Sequence, residues 1–259
     1  MSERRFKMDE LDVVVHADQA ALAAAAAEQA ATELRRTVRA RGVAHAMFAT
    51  GNSQLAFVDT LVRLPDVPWA EVVVFHMDEY VGVDGRHPAG FRRWIWERIA
   101  ERAHPMVVHY LDGTAPDPQA ECDRYAGLLA THPLDLCCLG IGENGHLAFN
   151  DPPVADFEDP RDVKIVELDR ACREQQVGEG HFASLEKVPA TAMTVTVPAL
   201  LRARRVIAVV PEERKAPAVR AALTGPVTTS CPASALRTAA GTTLHLDPGS
   251  AALLPADPP

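Results

Sequence analysis

Residues 134–150 read Leu134-Asp135-Leu136-Cys137-Cys138-Leu139-Gly140-Ile141-Gly142-Glu143-Asn144-Gly145-His146-Leu147-Ala148-Phe149-Asn150. The apolar start, residues 134–140, predicts a buried strand, and the glycines after it predict a tight polar turn. In an open α/β sheet such a turn lies at the carboxyl edge, where ligands bind. Glycines such as Gly145 let the backbone approach a ligand, and His146 can exchange a proton near neutral pH. A plain strand-ending turn explains this segment equally well when it is taken alone.

The same alternation of apolar strand and helix runs along the rest of the chain. An alanine-dense helix is predicted at residues 18–41, followed by a strand at 43–49, a turn at 50–53 and a helix at 54–64. Further strands are predicted at residues 71–77, 163–168, 192–197, 204–210 and 242–246, and further helices at 88–102, 117–131 and 212–223. This order predicts an α/β fold with a mostly parallel sheet covered by helices.

The composition is that of an ordinary globular chain. With 259 residues, 47% hydrophobic and 24% charged, we expect a single domain over residues 1–259 that ends in a short proline-rich tail at 255–259. The net charge of -9 argues against a nucleic-acid or anionic membrane partner, because phosphate backbones require a basic face. A small phosphorylated molecule requires only a local positive pocket.

The cysteines and histidines indicate the redox state of the compartment and whether a metal site is expected. The five cysteines are odd in number and lack paired metal spacing, which favours reduced thiols in the cytoplasm. No segment approaches about eighteen consecutive apolar residues and no secretory leader is evident, so we expect a cytoplasmic protein without a membrane partner. The histidines lack zinc-type spacing, and we expect neither a metal nor another cofactor.

A pair of adjacent carboxylates ends the apolar strand predicted at residues 71–77. Burial and like-charge repulsion raise the pKa of at least one member of such a pair, which makes Asp78 or Glu79 a candidate general base near pH 7. The alternative is a helix-capping or turn residue. For Glu79 that alternative is at least as good, because neighbours on an extended chain point in opposite directions.

A candidate anion site follows the predicted strand at residues 43–49. Thr50, Gly51, Asn52 and Ser53 form a polar turn at a helix start, where backbone N–H groups favour an anion such as phosphate. The turn matches neither the Walker pattern nor the dinucleotide fingerprint, and alone it is also typical of an ordinary N-cap. Lys215 begins a later predicted helix and could reach an anion at this edge, although most lysines are simply solvated.

In this order, these segments resemble the glucosamine-6-phosphate deaminase family, related more distantly to 6-phosphogluconolactonases. The resemblance covers nearly the whole chain, and the run Met77-Asp78-Glu79-Tyr80-Val81-Gly82 is similar to the deaminase branch. The other matching segments are Ala49-Thr50-Gly51-Asn52-Ser53, His87-Pro88, Gly113-Thr114-Ala115-Pro116-Asp117, Ala120-Glu121-Cys122, the glycine-histidine run, and Ala192-Met193-Thr194-Val195.

The resemblance implies a modified Rossmann-like, mostly parallel sheet with helices on both faces, and an amino-sugar 6-phosphate as the small-molecule partner. It also implies a phosphate site on residues 50–53 helped by Lys215. Asp78 would take the proton from C2 of the sugar. His146, held between two carboxylates in the family, would open the pyranose ring. A homo-oligomer is possible.

Three positions depart from the family pattern. Asn144 stands where these deaminases carry aspartate, and Asp151 stands where they carry glutamate. An asparagine fixes a histidine tautomer but does not stabilise an imidazolium by charge. The family's phosphate-binding arginine aligns with Gln176; Arg173 nearby is the candidate substitute, and the alternative is a remodelled site.

These departures lead us to favour narrowly a dehydratase, which would expel the 3-hydroxyl from N-acetylglucosamine 6-phosphate after removal of the C2 proton. The alternative is a deaminase that releases fructose 6-phosphate and ammonia. A 6-phosphogluconolactonase or a non-catalytic sugar-phosphate sensor also remains open. A lactonase would use the histidine to activate water and would not require Asp78.

Overall fold

The computed structural model describes residues 3–255, which form eleven strands. The strands are β1 (Arg4–Met8), β2 (Leu11–Val15), β3 (Ala44–Phe48), β4 (Val72–His76), β5 (Asp78–Tyr80), β6 (Val107–His109), β7 (Leu136–Leu139), β8 (Val163–Glu167), β9 (Thr191–Val195), β10 (Arg205–Val210) and β11 (Thr242–Leu246). Of the tail predicted at residues 255–259, only residue 255 lies within the described part of the chain.

Eight strands form the main sheet, in the order β1-β2-β11-β10-β7-β3-β4-β6. All neighbours pair in parallel except β1 and β2, which form an antiparallel hairpin at one edge. The prediction of a mostly parallel α/β sheet is therefore confirmed. Sequence analysis missed the hairpin because β1, Arg-Arg-Phe-Lys-Met, is a half-exposed edge strand whose charged residues hide its alternation.

Helices cover both faces of this sheet. They are α1 (Gln19–Arg41), α2 (Leu55–Leu61), α3 (Phe91–Ile95), α4 (Glu101–Ala103), α5 (Pro118–Thr131), α6 (Arg170–Gly178), α7 (Val197–Leu201) and α8 (Ala216–Thr224). One core cluster joins α1 and α2 to one face, and another joins α5, α7 and α8 to the other. In the described part of the chain, no helix has both the length and the apolar character needed to cross a membrane.

Alternation along β10 shows why both faces are buried. Ile207 and Val209 belong to the cluster under α1 and α2, whereas Val206, Ala208 and Val210 belong to the cluster under α5 and α8. Successive side chains of a strand point to opposite faces, so a continuous apolar run buries both. The apolar runs in the sequence predicted this correctly.

A second, three-stranded antiparallel sheet lies at the carboxyl edge of the main one, in the order β5-β9-β8. Strand β5 begins two residues after β4 ends, and it pairs Asp78 with Thr194 of β9. The chain therefore leaves the main sheet at residue 77 and presents Asp78 just beyond its edge. Sequence analysis predicted strands near β8 and β9 but did not assign them to a separate sheet.

Candidate active site

One cavity collects the segments that follow β3, β4 and β7. These strands are neighbours and parallel, so their carboxyl ends meet at one edge of the sheet. Of the residues predicted for the site, the cavity is lined by Thr50, Gly51, Asn52, Ser53, Asp78, His146 and Lys215. The separate sequence signals thus converge on one place in the fold.

Asp78 is the buried acid of this cavity. Its side chain is only 7% exposed, and its Oδ1 atom has no hydrogen-bond partner among residues 3–255. Burial raises the pKa of Asp78 well above its usual range, and the neighbouring Glu79 carboxylate raises it further. A carboxylate that is poorly solvated and unpaired is a strong base for a proton presented to it.

Glu79 faces away from the cavity, as strand alternation requires. Its carboxylate accepts the backbone N–H groups of Tyr80, Phe91 and Arg92 at 2.9, 3.2 and 2.7 Å. Burial raises its pKa to about 7 in spite of these N–H donors. Our prediction of a catalytic position for Glu79 is corrected by this geometry, which fits the alternative of a cap at the start of α3.

His146 lines the same cavity, on the turn that follows β7. Its Nδ1 lies 2.9 Å from Oδ1 of Asp151. A Cβ atom on Gly142 would lie within 2.2 to 2.4 Å of three ring atoms, so only glycine lets the ring occupy this position. The contact with Asp151 is a close ion-pair distance without hydrogen-bond geometry, since Nδ1 has no hydrogen-bond partner among residues 3–255. With Nδ1 beside Asp151, the Nε2 side of the ring is left for the cavity.

Asn144 and Asp151 support His146 from behind and do not line the cavity. The Asn144 amide donates to Oδ1 of Asp151 at 2.8 Å, while its oxygen accepts the backbone N–H of His146 at 3.0 Å. Burial opposes ionisation of Asp151, but its contacts with His146 and Asn144 outweigh burial and hold its pKa below the usual range. Asp151 therefore faces the imidazole as a carboxylate, and Asn144 fixes the arrangement.

The turn after β3 forms the polar floor of the cavity. Gly51 adopts a φ of 101°, a value that side-chain-bearing residues rarely take, and a 3-10 turn at Asn52–Gln54 follows it. Gln54 ties this turn to the sheet by donating to the backbone oxygen of Val209 at 3.0 Å. Lys215 reaches the cavity from the segment after β10, and burial lowers the pKa of its ammonium group.

Two predicted binding residues lie elsewhere. The guanidinium of Arg173 donates to the backbone oxygens of Leu185 and Val188 at 2.7 and 3.1 Å, outside the cavity lining. Arg173 is on α6 but on the side that packs against the following loop. Gly145 is also outside the lining, because its Cα abuts Cys231: an added Cβ would lie 2.8 Å from the sulfur.

Helix α6 and the residues after it form a wall that was not predicted, apart from Gln176 at the arginine position. Gln175, Gln176, Glu179 and His181 line the cavity. The polar segment 170–181 lacks an apolar stripe long enough to predict a helix. Its dense amides and charges were the signal that could have indicated a ligand-facing surface.

Contacts of Gln176 and Glu179 fix this wall. The Tyr80 hydroxyl donates to Oε1 of Gln176 at 2.7 Å, which orients the Gln176 amide. Arg214 donates to Glu179 at 2.7 Å, and His181 lies 3.3 Å from the same carboxylate. Burial opposes ionisation of Glu179, but contacts with His181, Arg214 and Gln175 lower its pKa to about 2.

The model of the glucosamine-6-phosphate isomerases/6-phosphogluconolactonase family matches residues 17–245 of this chain. The chain belongs to this family. Among curated members, it is 34% identical over 225 residues to the glucosamine-6-phosphate deaminase of Streptococcus pneumoniae serotype 4, covering 86% of this chain and 94% of that protein. It is also 34% identical over 208 residues to the Exiguobacterium sibiricum deaminase, covering 80% of this chain and 79% of that one.

Solved structures of family members have the same fold. A monomeric glucosamine-6-phosphate deaminase superposes with a TM-score of 0.85 at 26% identity, covering 93% of this chain and 99% of that one. A 6-phosphogluconolactonase from Shewanella baltica superposes with a TM-score of 0.75 at 20% identity, over 94% and 99% of the two chains. The resemblance predicted from the motifs is confirmed at the level of family and fold.

Proposed function

We propose that this chain is a glucosamine-6-phosphate deaminase, which converts glucosamine 6-phosphate and water to fructose 6-phosphate and ammonia. The observation that carries the proposal is the presence of two groups in one cavity: an unpaired buried carboxylate, Asp78, and an imidazole backed by a carboxylate, His146 with Asp151. The deaminases among its relatives also favour this reaction over the dehydration that we predicted from sequence.

Phosphate binding is assigned to the turn at residues 50–53 and to Lys215. The turn offers backbone N–H groups and hydroxyls at the start of a helical segment, and Lys215 adds a cation to the same cavity. Gln176 adds a neutral donor, because the Tyr80 hydroxyl occupies its oxygen and leaves the NH₂ group.

Ring opening is assigned to His146. The imidazole takes the proton from the C1 hydroxyl and returns one to the ring oxygen, which yields the open-chain amino aldose. Asp151, 2.9 Å from Nδ1, orients the ring and stabilises the imidazolium that forms between the two transfers.

Asp78 then removes the C2 proton of the open-chain sugar. The electron pair moves into the C1–C2 bond, and the carbonyl oxygen takes a proton from water to become an enol hydroxyl. A proton delivered to C1 by the His146 imidazolium gives a ketose imine with nitrogen at C2, and Asp78 releases the C2 proton to water. Water adds to this imine, and ammonia leaves to give fructose 6-phosphate.

Deamination requires a proton donor at C1. The ability of the His146–Asp151 pair to hold and deliver a proton therefore affects which product forms. Our dehydratase hypothesis rested on a relay weakened by Asn144. The carboxylate of Asp151 nevertheless contacts the imidazole directly, and Asn144 acts as its hydrogen-bond donor. The relay therefore retains a charge partner, which supports the deaminase alternative.

The test is a product assay on purified protein with both sugars. Glucosamine 6-phosphate should give ammonia and fructose 6-phosphate in equal amounts, and N-acetylglucosamine 6-phosphate should give neither. An ultraviolet-absorbing unsaturated sugar from the N-acetyl substrate would identify a dehydratase instead. Hydrolysis of 6-phosphogluconolactone with Asp78→Asn still active would identify a lactonase.

A further inference from the structure

Cys172, on the first turns of α6, brings a thiol to the back of the His146–Asp151 pair. Nδ1 of His146, a carboxylate oxygen of Asp151 and Sγ of Cys172 all lie within 4.8 Å of one another. Asp151 and Cys172 are 0% and 1% exposed. Among residues 3–255, this is the one group of His, Cys, Asp and Glu side chains whose donor atoms are close enough to share an ion.

The three donor types in this cluster indicate which metal ion it would bind. Imidazole nitrogen, carboxylate oxygen and thiolate sulfur are the ligands that Zn²⁺ takes, in a tetrahedral arrangement. Each of the three side chains offers one ligand atom. Oδ2 of Asp151 is buried and has no hydrogen-bond partner in the described chain, whereas Oδ1 faces Asn144 and His146. Mg²⁺ and Ca²⁺ prefer oxygen ligands in larger number, so this cluster does not suit them.

We propose that His146, Asp151 and Cys172 form an inhibitory Zn²⁺ site. Binding takes the proton from Nδ1 and from the thiol, and the ion replaces the contact between His146 and Asp151. An imidazole held by a metal on one nitrogen no longer exchanges protons through its pairing with Asp151. Because Cys172 belongs to α6, the same ion would fasten the wall that carries Gln175 and Gln176 to the turn after β7.

Metal binding is the first test, and it does not depend on the reaction. The metal-free protein is titrated with Zn²⁺ against a chelator of known affinity, and with Cd²⁺ while the thiolate-to-metal charge-transfer absorption is recorded. We expect one ion per chain and a charge-transfer band. Cys172→Ser should abolish the band and weaken Zn²⁺ binding by at least about 10-fold, the lower end of what losing a supporting group costs a metal site.

Cys122→Ser is the matched control, because Cys122 is equally buried but belongs to α5. It should keep both the band and the affinity. Thermal unfolding identifies any variant that fails to fold, and Asp151→Asn then serves as a second variant that should weaken Zn²⁺ binding. Retention of full affinity and of the band in Cys172→Ser, or absence of any stoichiometric binding in the wild type, would overturn the site.

Inhibition is the second test and rests on the proposed function. Each variant's rate in Zn²⁺ is divided by its own rate in chelator, with glucosamine 6-phosphate as substrate. The wild type and Cys122→Ser should lose most of their rate at one equivalent of Zn²⁺, and Cys172→Ser should keep it. Stoichiometric binding with an unchanged rate would refute inhibition. A protein without deaminase activity would contradict the proposed function while the binding test still decides the metal site.

Discussion

Nδ1 of His146 lies 2.9 Å from Oδ1 of Asp151, and the Asn144 amide donates to the same oxygen at 2.8 Å. Asn144 therefore does not take the place of a charged partner of the histidine; it holds that partner in position. This relationship changes the interpretation of the two substitutions that set the chain apart from the family pattern, because one carboxylate still faces the imidazole.

Asp151→Asn should remove the charge that stabilises the imidazolium and leave a similar shape. We expect kcat for deamination to fall by up to about 10⁴-fold, as in triads that lose the carboxylate behind a histidine, with little change in KM. Steady-state kinetics with glucosamine 6-phosphate measures both constants. A fall of less than about 3-fold, against the scale of the triad effect, would show that Asp151 does not assist His146.

The pH dependence of kcat/KM should reveal the ionisation of Asp78, the proposed base. Burial and the Glu79 charge raise the pKa of Asp78, and only the deprotonated carboxylate accepts a proton. The rate kcat/KM should therefore fall as pH decreases through this raised pKa, at a higher pH than for an exposed aspartate. Glu79→Gln removes the neighbouring negative charge, so the acidic limb should move to lower pH.

Circular dichroism and thermal unfolding check that Glu79→Gln is folded, since Glu79 also accepts three backbone N–H groups. An acidic limb that stays at the same pH in a folded Glu79→Gln protein would mean that another group sets the profile.

Lys215 and Arg173 form a matched pair of cations for testing the phosphate site. Lys215 lines the cavity, whereas Arg173 donates to two backbone oxygens outside it. Lys215→Met should raise KM for glucosamine 6-phosphate by about 10- to 100-fold, the effect of losing about 1.5–3 kcal/mol from a charged hydrogen bond. Arg173→Met should leave KM unchanged and lower the thermal midpoint. A raised KM in Arg173→Met together with an unchanged KM in Lys215→Met would place the phosphate beside Arg173 instead.

Much of this architecture could be predicted from local sequence. Apolar runs ending in polar turns fixed the parallel strands, and because parallel neighbours end at one edge, Asp78, His146 and the turn at residues 50–53 were expected together. Alternation along a strand already offered the alternative that Glu79 faces away from the cavity, which the three N–H contacts of its carboxylate now support.

Long-range geometry could not be predicted in this way. The pairing of β5 with β9 joins residues far apart in sequence, and β5 is only three residues long. Whether Asp151 contacts His146 depends on the path of the loop that carries Asp151. The sequence shows only that the aspartate side chain is shorter than that of glutamate, so this contact could not be predicted. The orientation of Arg173 depends on which side of α6 faces the cavity, and the few apolar residues of this short polar helix do not reveal that.

The central claim is that Asp78 removes the C2 proton. Glucosamine 6-phosphate carrying deuterium at C2 is incubated in ordinary water with the wild type and with Asp78→Asn, and the label at C2 is followed by NMR. We predict that the wild type releases the deuterium during turnover, and that Asp78→Asn releases it at least about 10²-fold more slowly, the lower end of what a positioned base contributes. Ligand-induced thermal stabilisation should show that the variant still binds the sugar. Release of deuterium by a folded, sugar-binding Asp78→Asn protein at the wild-type rate would contradict the claim.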